Sequence, residues 1–434
     1  MDNAMELDQS VIEQPTTNGI SRADGWKALA AMAVASVSDS IEGGLVNTLF
    51  PVIRQALGLG LEMLGILTSL SRFGRMIFGP AWSMAADRFG RKPVLVFVTG
   101  IWGLWTAAAG MAADATWLVI LYGIGVIGTV ASEPIANGLL ADIFAPHERG
   151  KAYGFLRFIS VGGGVLLTPF IGQLAGIQDG WRIGMYIMGG TSVLSGILIA
   201  LWVKNPVKDT HTDEDKFKWA DVAAIVKIPT VLLLAGMLPF VTSLVLFAFF
   251  VTYFVDVRKF STQEAAILNT VFMAGFAISS FVGGLLGDWV TRKFGPNGRV
   301  ALMQIYLVGF AVLSYLTLQI DWGNGPMLYI MLFIFGLEAS IGFSGVVLPM
   351  VSSVVPADVS ATAFSLLFSL VQGGISAVLS LSIGFIAKDL GLERTMLYLV
   401  TIPYAINAVY WFLFYRWYPG DVAKLQARKT AAAK

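Results

Sequence analysis

A chain of 434 residues that is 56% hydrophobic and only 13% charged, with a net charge of +1, has the composition of a protein dissolved in a bilayer; water-soluble domains carry roughly 25% charged residues. That charge balance gives no reason to expect a nucleic-acid partner. With no cysteine, disulfides, thiolate chemistry and Cys-ligated metal are excluded, and the redox compartment is left unread.

Residues 1–25 are polar and acidic, lack the basic start and cleavage site of a signal peptide, and read as an N-terminal cytoplasmic tail. At about 20 apolar residues per span, twelve helices follow. They lie near 26–50, 63–86, 93–112, 116–140, 153–175, 183–203, 230–254, 265–287, 300–319, 327–350, 361–387 and 395–416. The longest polar break, 204–229, carries Lys204, Lys208, Lys216, Lys218 and Lys227 and reads as a cytoplasmic linker between two six-helix halves, 26–203 and 230–416. Within it, 218–227 has the pattern of a short amphipathic surface helix. Residues 417–434 read as a second tail.

Lys and Arg counts set the orientation. With both termini inside, the inner segments hold 20 basic residues, the outer loops 6, and the spans themselves 3. This predicts a multi-pass plasma-membrane protein with cytoplasmic termini. The short outer loops and the lack of any Asn-x-Ser/Thr sequon point to a bacterial inner membrane.

The informative residues are those a bilayer rejects. Asp39 and Glu42 fall in the first span, Arg72 and Arg75 in the second, Glu133 in the fourth, Arg157 in the fifth and Glu338 in the tenth. Each costs at least about 2.5 kcal/mol at the centre of an isolated span, so it must face water or an opposite charge. Asp39, Gly43 and Asn47 form an i, i+4, i+8 stripe, as do Thr129, Glu133 and Asn137; Arg72 and Arg75 share a face. One reading is a buried ion-pair lattice that holds the helices together. The other is a lattice that exchanges a proton or binds a solute, with Asp39, Glu42, Glu133 and Glu338 as proton carriers and Asp39 or Glu133 favoured. Arg72 and Arg75, flanked by Asn47 and Asn137, then receive an anionic head group, because a guanidinium fork pairs well with carboxylate or phosphate. The second half is aromatic instead, with Phe240, Phe247, Phe250, Tyr253, Phe254, Phe343, Phe364 and Phe368. Most of these read as packing, and Tyr253 and Phe343 are candidates for contact with the solute.

Residues 83–92, Ser-Met-Ala-Ala-Asp-Arg-Phe-Gly-Arg-Lys, put an acid four and five positions before a basic pair between two apolar runs. A degraded copy, Gly-Leu-Leu-Gly-Asp-Trp-Val-Thr-Arg-Lys, returns at 284–293. A recurrence about 200 residues apart is how many secondary transporters are built. The decapeptide resembles the loop between the second and third helices of the major facilitator superfamily. Asp87, Arg88, Gly90, Arg91 and Lys92 match that pattern; the second copy keeps Asp288, Arg292 and Lys293 but has Thr291 where Gly is expected.

The resemblance implies an all-α membrane protein of twelve transmembrane helices in two six-helix bundles related by a pseudo-two-fold axis. Helices one, four, seven and ten would line a central cavity, and three, six, nine and twelve would be outer supports. None of the span charges falls in those four supports. The resemblance also implies an inner-face latch built from Asp87, Arg88, Arg91, Asp142, Arg149 and Asp288. In it Asp87 meets the start of helix eleven near Ser360–Thr362, and Arg91 pairs with Asp142. Helix five, with Gly162–Gly164 and then Thr168–Pro169, partly resembles the antiporter pattern of superfamily exporters. Tyr122 ahead of Gly125 departs from the Arg that drug exporters often carry.

These readings describe a monomer-competent secondary transporter, with no cofactor or metal, whose partners are protons, lipid and a small amphipathic organic solute, anionic by the arginine argument. A proton-driven multidrug exporter is the alternative, and a non-transporting receptor or scaffold is the competitor from another class. No Walker-type loop, metal cluster or nucleophile–histidine pair suggests an enzyme.

Overall fold

The computed structural model describes residues 21–144, 146–204, 222, 225–356 and 359–432. In α1 (Arg22–Leu57), the Ser21 hydroxyl caps the start by accepting from the Asp24 amide, and Gly58 ends the helix at φ 63°, ψ 37°. Such caps matter because lipid offers no partner to an orphan amide. α2 (Leu61–Phe89) and α3 (Arg91–Ala109) are joined by one residue. Gly90 makes that reversal at φ 97°, a conformation that costs a side chain dearly. Then come α4 (115–143), α5 (Pro146–Gln173), α6 (Gly180–Trp202) and α7 (Pro229–Asp256). The Ser261–Glu264 capping box opens the helical stretch Thr262–Gln319, which is broken at Gly295 (φ 66°, ψ −161°) into α8 (262–294) and α9 (296–319). The chain closes with α10 (Pro326–Val354), α11 (360–390) and α12 (392–432).

Ten helical stretches are long and apolar enough to cross a membrane by themselves. The run Thr262–Gln319 supplies two spans rather than one. α2 is the remaining span: its 29 residues reach about 43 Å, more than the roughly 30 Å hydrocarbon core. Its arginines dilute its hydropathy, not its length. The described residues thus hold twelve spanning helices.

One expectation changes. The second loop motif is not a turn: 284–293 is helical, and Thr291 is tolerated because the break sits four residues later, at Gly295. α12 stays helical to Ala432, with Tyr418 buried and Asp421 accepting from the Thr230 amide (3.0 Å) and hydroxyl (2.8 Å). Of the surface helix expected at 218–227, only 222 and 225–227 lie within the described residues.

The chain divides into two compact units, one of Met1–Gly58 with Gly74–Thr212, the other of Leu59–Phe73 with Asp213–Lys434. The first is packed around Leu29, Met32, Leu95, Leu139, Leu140, Phe144 and Ile199, all buried. There α3 and α6 touch backbone to backbone, since a Cβ on Gly196 would come within 2.4 Å of Gly100 Cα; small residues permit this in lipid, where helix contact rests on packing alone. The second unit is packed through rings. Phe250 stacks on Phe272, Phe272 meets Phe335, and Phe310 stacks on Tyr404.

Candidate functional site

α4 is interrupted at Val130–Ala131 and restarts at Ser132, which places Glu133 in the first turn of a new helical segment. A first-turn position favours a carboxylate through the helix dipole. Glu133 is shared by two arginines: Arg75 Nη1 of α2 reaches Oε2 at 3.3 Å, and Arg157 Nη1 of α5 reaches Oε1 at 3.2 Å. All three side chains are open, with 66%, 52% and 75% of Arg75, Glu133 and Arg157 exposed. Charges at mid-span depth with that exposure need a water-filled face. Asp39 of α1 lies beside this bridge. Ser132 is its polar neighbour, and Arg75 and Glu133 are its charged neighbours. Ser132 is itself 3.4 Å from the Thr99 hydroxyl of α3. Asn47 hydrogen-bonds its own helix at the Gly43 carbonyl (3.4 Å), and the Asn137 carbonyl accepts from Tyr153 of α5 (3.0 Å).

The other span acids point elsewhere. Glu42 is buried and takes a 2.6 Å hydrogen bond from Thr106 of α3, so it faces a support helix and not the Arg75–Glu133 bridge. Its Oε2 has no partner. Glu338, just before a break in α10 at Ala339–Ser340, lies over Gly309 of α9, where a Cβ would meet its Oε1 at 2.0 Å. Tyr306 and Tyr404 are its polar neighbours, and its Oε2 is likewise unpartnered.

Arg72 and Arg75, expected on one face of α2 as joint receivers of a head group, make different contacts. The two lie three residues apart on α2, but Arg72 donates from Nη2 to the Leu244 carbonyl of α7 at 2.9 Å. Leu244 follows the point where α7 loses helical geometry, at Val241–Thr242, and Arg72 secures that irregular backbone. Tyr253 is fully buried, with its hydroxyl on the Leu318 carbonyl and Arg258 over its ring. It is a clamp inside the second unit, not a solute contact, and Phe250 and Phe254 are core beside it. Phe343 is 38% exposed and meets Phe368, which meets Phe364. Phe343 and Phe368 stand in π-helical turns, 343–347 and 365–371, a local widening that is frequent at functional sites.

On the motif loop, Arg91 Nη1 binds Asp142 Oδ1 and the Gly138 carbonyl, both at 2.7 Å, with about a fifth of each charged side chain exposed. Arg88 is exposed beside Phe89. The side chains of Asp87 and Arg149 lie outside the described residues. Asp288 pairs with Arg299 at 3.6 Å, a buried base that the sequence pattern did not single out. Nor did it assign Arg157 to Glu133, although a lone mid-span base calls for an acid.

Comparison with known proteins agrees with this architecture. The sequence model of the Major Facilitator Superfamily matches residues 32–380. A hexuronate transporter of Bacillus subtilis (strain 168) is 23% identical over 296 residues, covering 66% of this chain and 69% of that one. The multi-drug resistance efflux pump PmrA of Streptococcus pneumoniae is 26% identical over 316 residues, covering 70% and 75%. The crystal structure of a bacterial homologue of the human lysosomal transporter Spinster, inward-facing and unoccupied, superposes with a TM-score of 0.77 at 20% identity, over 92% of this chain and 99% of that one. The chain belongs to the Major Facilitator Superfamily, and is a multi-pass membrane transporter of small solutes rather than an enzyme.

Proposed function

We propose that this transporter moves a small amphipathic organic anion together with protons, by alternating access. The observation that carries the reading is the Glu133 carboxylate held between Arg75 and Arg157 on an exposed mid-span face. Each guanidinium has five N–H donors in a planar fork, and the bridge engages only a fraction of them. A carboxylate or phosphate head group can compete with Glu133 for both forks. Asp39, beside Ser132 and Arg75, then carries the proton: as the face changes its access to water, its pairing changes and the proton is taken up or released. The hexuronate transporter among the relatives supports an anionic cargo.

The moving bodies are the halves 26–203 and 230–416, joined by the linker 204–229. Both termini are cytoplasmic, the membrane is a bacterial inner membrane, and one chain suffices. The Phe343–Phe368–Phe364 ring cluster, exposed at Phe343, and the efflux-pump relative favour a second reading, a proton-driven multidrug exporter.

Proteoliposome uptake separates the two. A hexuronate should accumulate under an imposed proton gradient, and aromatic drugs should not compete with it. Asp39→Asn should abolish that accumulation while leaving hexuronate exchange measurable. Drug transport without anion transport would replace the first reading with the second. Full gradient-driven accumulation by the Asn variant would pass the proton to Glu133.

A further inference from the structure

We propose that a cleft in the first unit, on the back of α1 between α5 and α6, seats one acyl chain of a bilayer lipid. This is independent of the transport reading. The cleft holds about 600 Å³ and is lined by Val34, Val37, Ile41, Leu167, Phe170 and Ile187, among other residues.

Its origin lies in how α5 meets α1. The two helices touch where Ser160 bonds Ser40 (2.7 Å) and the Ser36 carbonyl (3.1 Å), and where a Cβ on Gly163 would come within 2.8 Å of Val37. Towards its C-terminal end α5 carries Pro169, which has no amide to donate. Only 11% of its apolar stretch is buried, against 44–56% for α1, α3, α4 and α6.

The cleft is separate from the charged face. At 100° per residue, Val37 and Ile41 sit about 160–200° around α1 from Asp39, on its opposite side. The lining contains no charged residue. Its two hydroxyls are engaged within the protein, Ser38 with Thr191 (3.0 Å) and Ser192 (3.4 Å), and Thr191 with the Met188 carbonyl (2.9 Å). Nothing there can hold an ion or a head group, so the ligand is hydrocarbon.

The medium supplies it. Phe170 and Ile187 at the cleft are 68% and 47% exposed, on helices that must meet lipid. From Ala33 to Leu45 the lining runs about 18 Å along α1, slightly more than half of the roughly 30 Å hydrocarbon core. That is the length of one extended chain in one leaflet. Left empty, the lining would lose the dispersion contacts that a packed chain provides.

The absence of cysteine allows a clean test. Ile187→Cys, labelled with a fluorophore and reconstituted, should be quenched by lipids spin-labelled along the acyl chain. Ile197→Cys, exposed on α6 outside the cleft, reports ordinary lipid contact. Filling the cleft with Val34→Phe should cut quenching at 187 at least twofold and leave 197 unchanged, whichever head group the labelled lipid carries. Leu167→Phe serves if the first variant does not fold. Unchanged quenching at 187 in the filled variants would reduce the cleft to general lipid contact. Stronger quenching at 187 by aqueous iodide than by labelled chains would make it a water-filled space. Either result overturns the assignment.

Discussion

Replacing Glu133 by Gln keeps the shape of the side chain and removes the one carboxylate that Arg75 and Arg157 share. The folded state should notice little. Both pairs are more than half exposed, and exposed pairs contribute about 0.2–1 kcal/mol each, so the loss is about 2 kcal/mol at most. Anion binding should respond more strongly, and in the opposite direction. A unit charge at 4 Å is worth about 1 kcal/mol in bulk water and about 4 kcal/mol at an effective dielectric of 20. Removing a negative charge at that distance from a bound carboxylate should therefore tighten anion binding. The expected gain is tenfold or more, since 1.4 kcal/mol is one decade. Release should slow by a similar factor, so turnover falls while affinity rises. Titration calorimetry with a hexuronate, wild type against Glu133→Gln, reads the affinity, and the salt dependence of the gain checks its electrostatic origin. Equal affinities in the two proteins, or the same tightening for a neutral sugar, would refute the placement of the anion between the two guanidiniums.

Three further expectations rest on single contacts. Arg75→Lys and Arg157→Lys keep the charge and lose the fork, so each should weaken hexuronate binding several-fold in the same calorimetric assay while leaving the melting temperature within a few degrees. Gly309→Ala puts a Cβ 2.0 Å from Glu338 Oε1 and should cost about 1–3 kcal/mol as an overpacked site; the paired variant Gly309→Ala/Glu338→Ala should recover part of it, as thermal unfolding in detergent can measure. Arg91→Ala removes the ion pair to Asp142 and the hydrogen bond to the Gly138 carbonyl. It should lower stability by about 1–3 kcal/mol and broaden the distance distribution between spin labels at the α2–α3 and α4–α5 turns, with slower transport in proteoliposomes.

The Arg91–Asp142 bond and the Glu42–Thr106 bond show where sequence reasoning reaches and where it stops. The first was legible because a charged reversal at a membrane surface, together with a resemblance to a known loop, leaves few acids within reach. The second was not. A helical stripe places Asp39, Gly43 and Asn47 on one side of α1, but nothing in the spacing says which neighbour Glu42, a turn away, will meet. The same limit explains Tyr253 and Glu338. Both fall on helices expected to line a cavity, but one is clamped inside the second unit and the other is folded over Gly309.

Hydropathy and charge by themselves determined that this chain lives in a bilayer, where its spans fall and which of its residues the bilayer would reject. Those are transfer free energies, additive along the chain and indifferent to what packs against what. Only the tertiary structure decided that Glu133 serves two arginines, that Arg72 secures broken backbone while Arg75 joins the charged face, and that two acids turn to support helices. Such pairings depend on the rotation of each helix about its axis and on which helices come within a few ångströms. Close packing of the whole bundle sets those quantities, and no single segment encodes them.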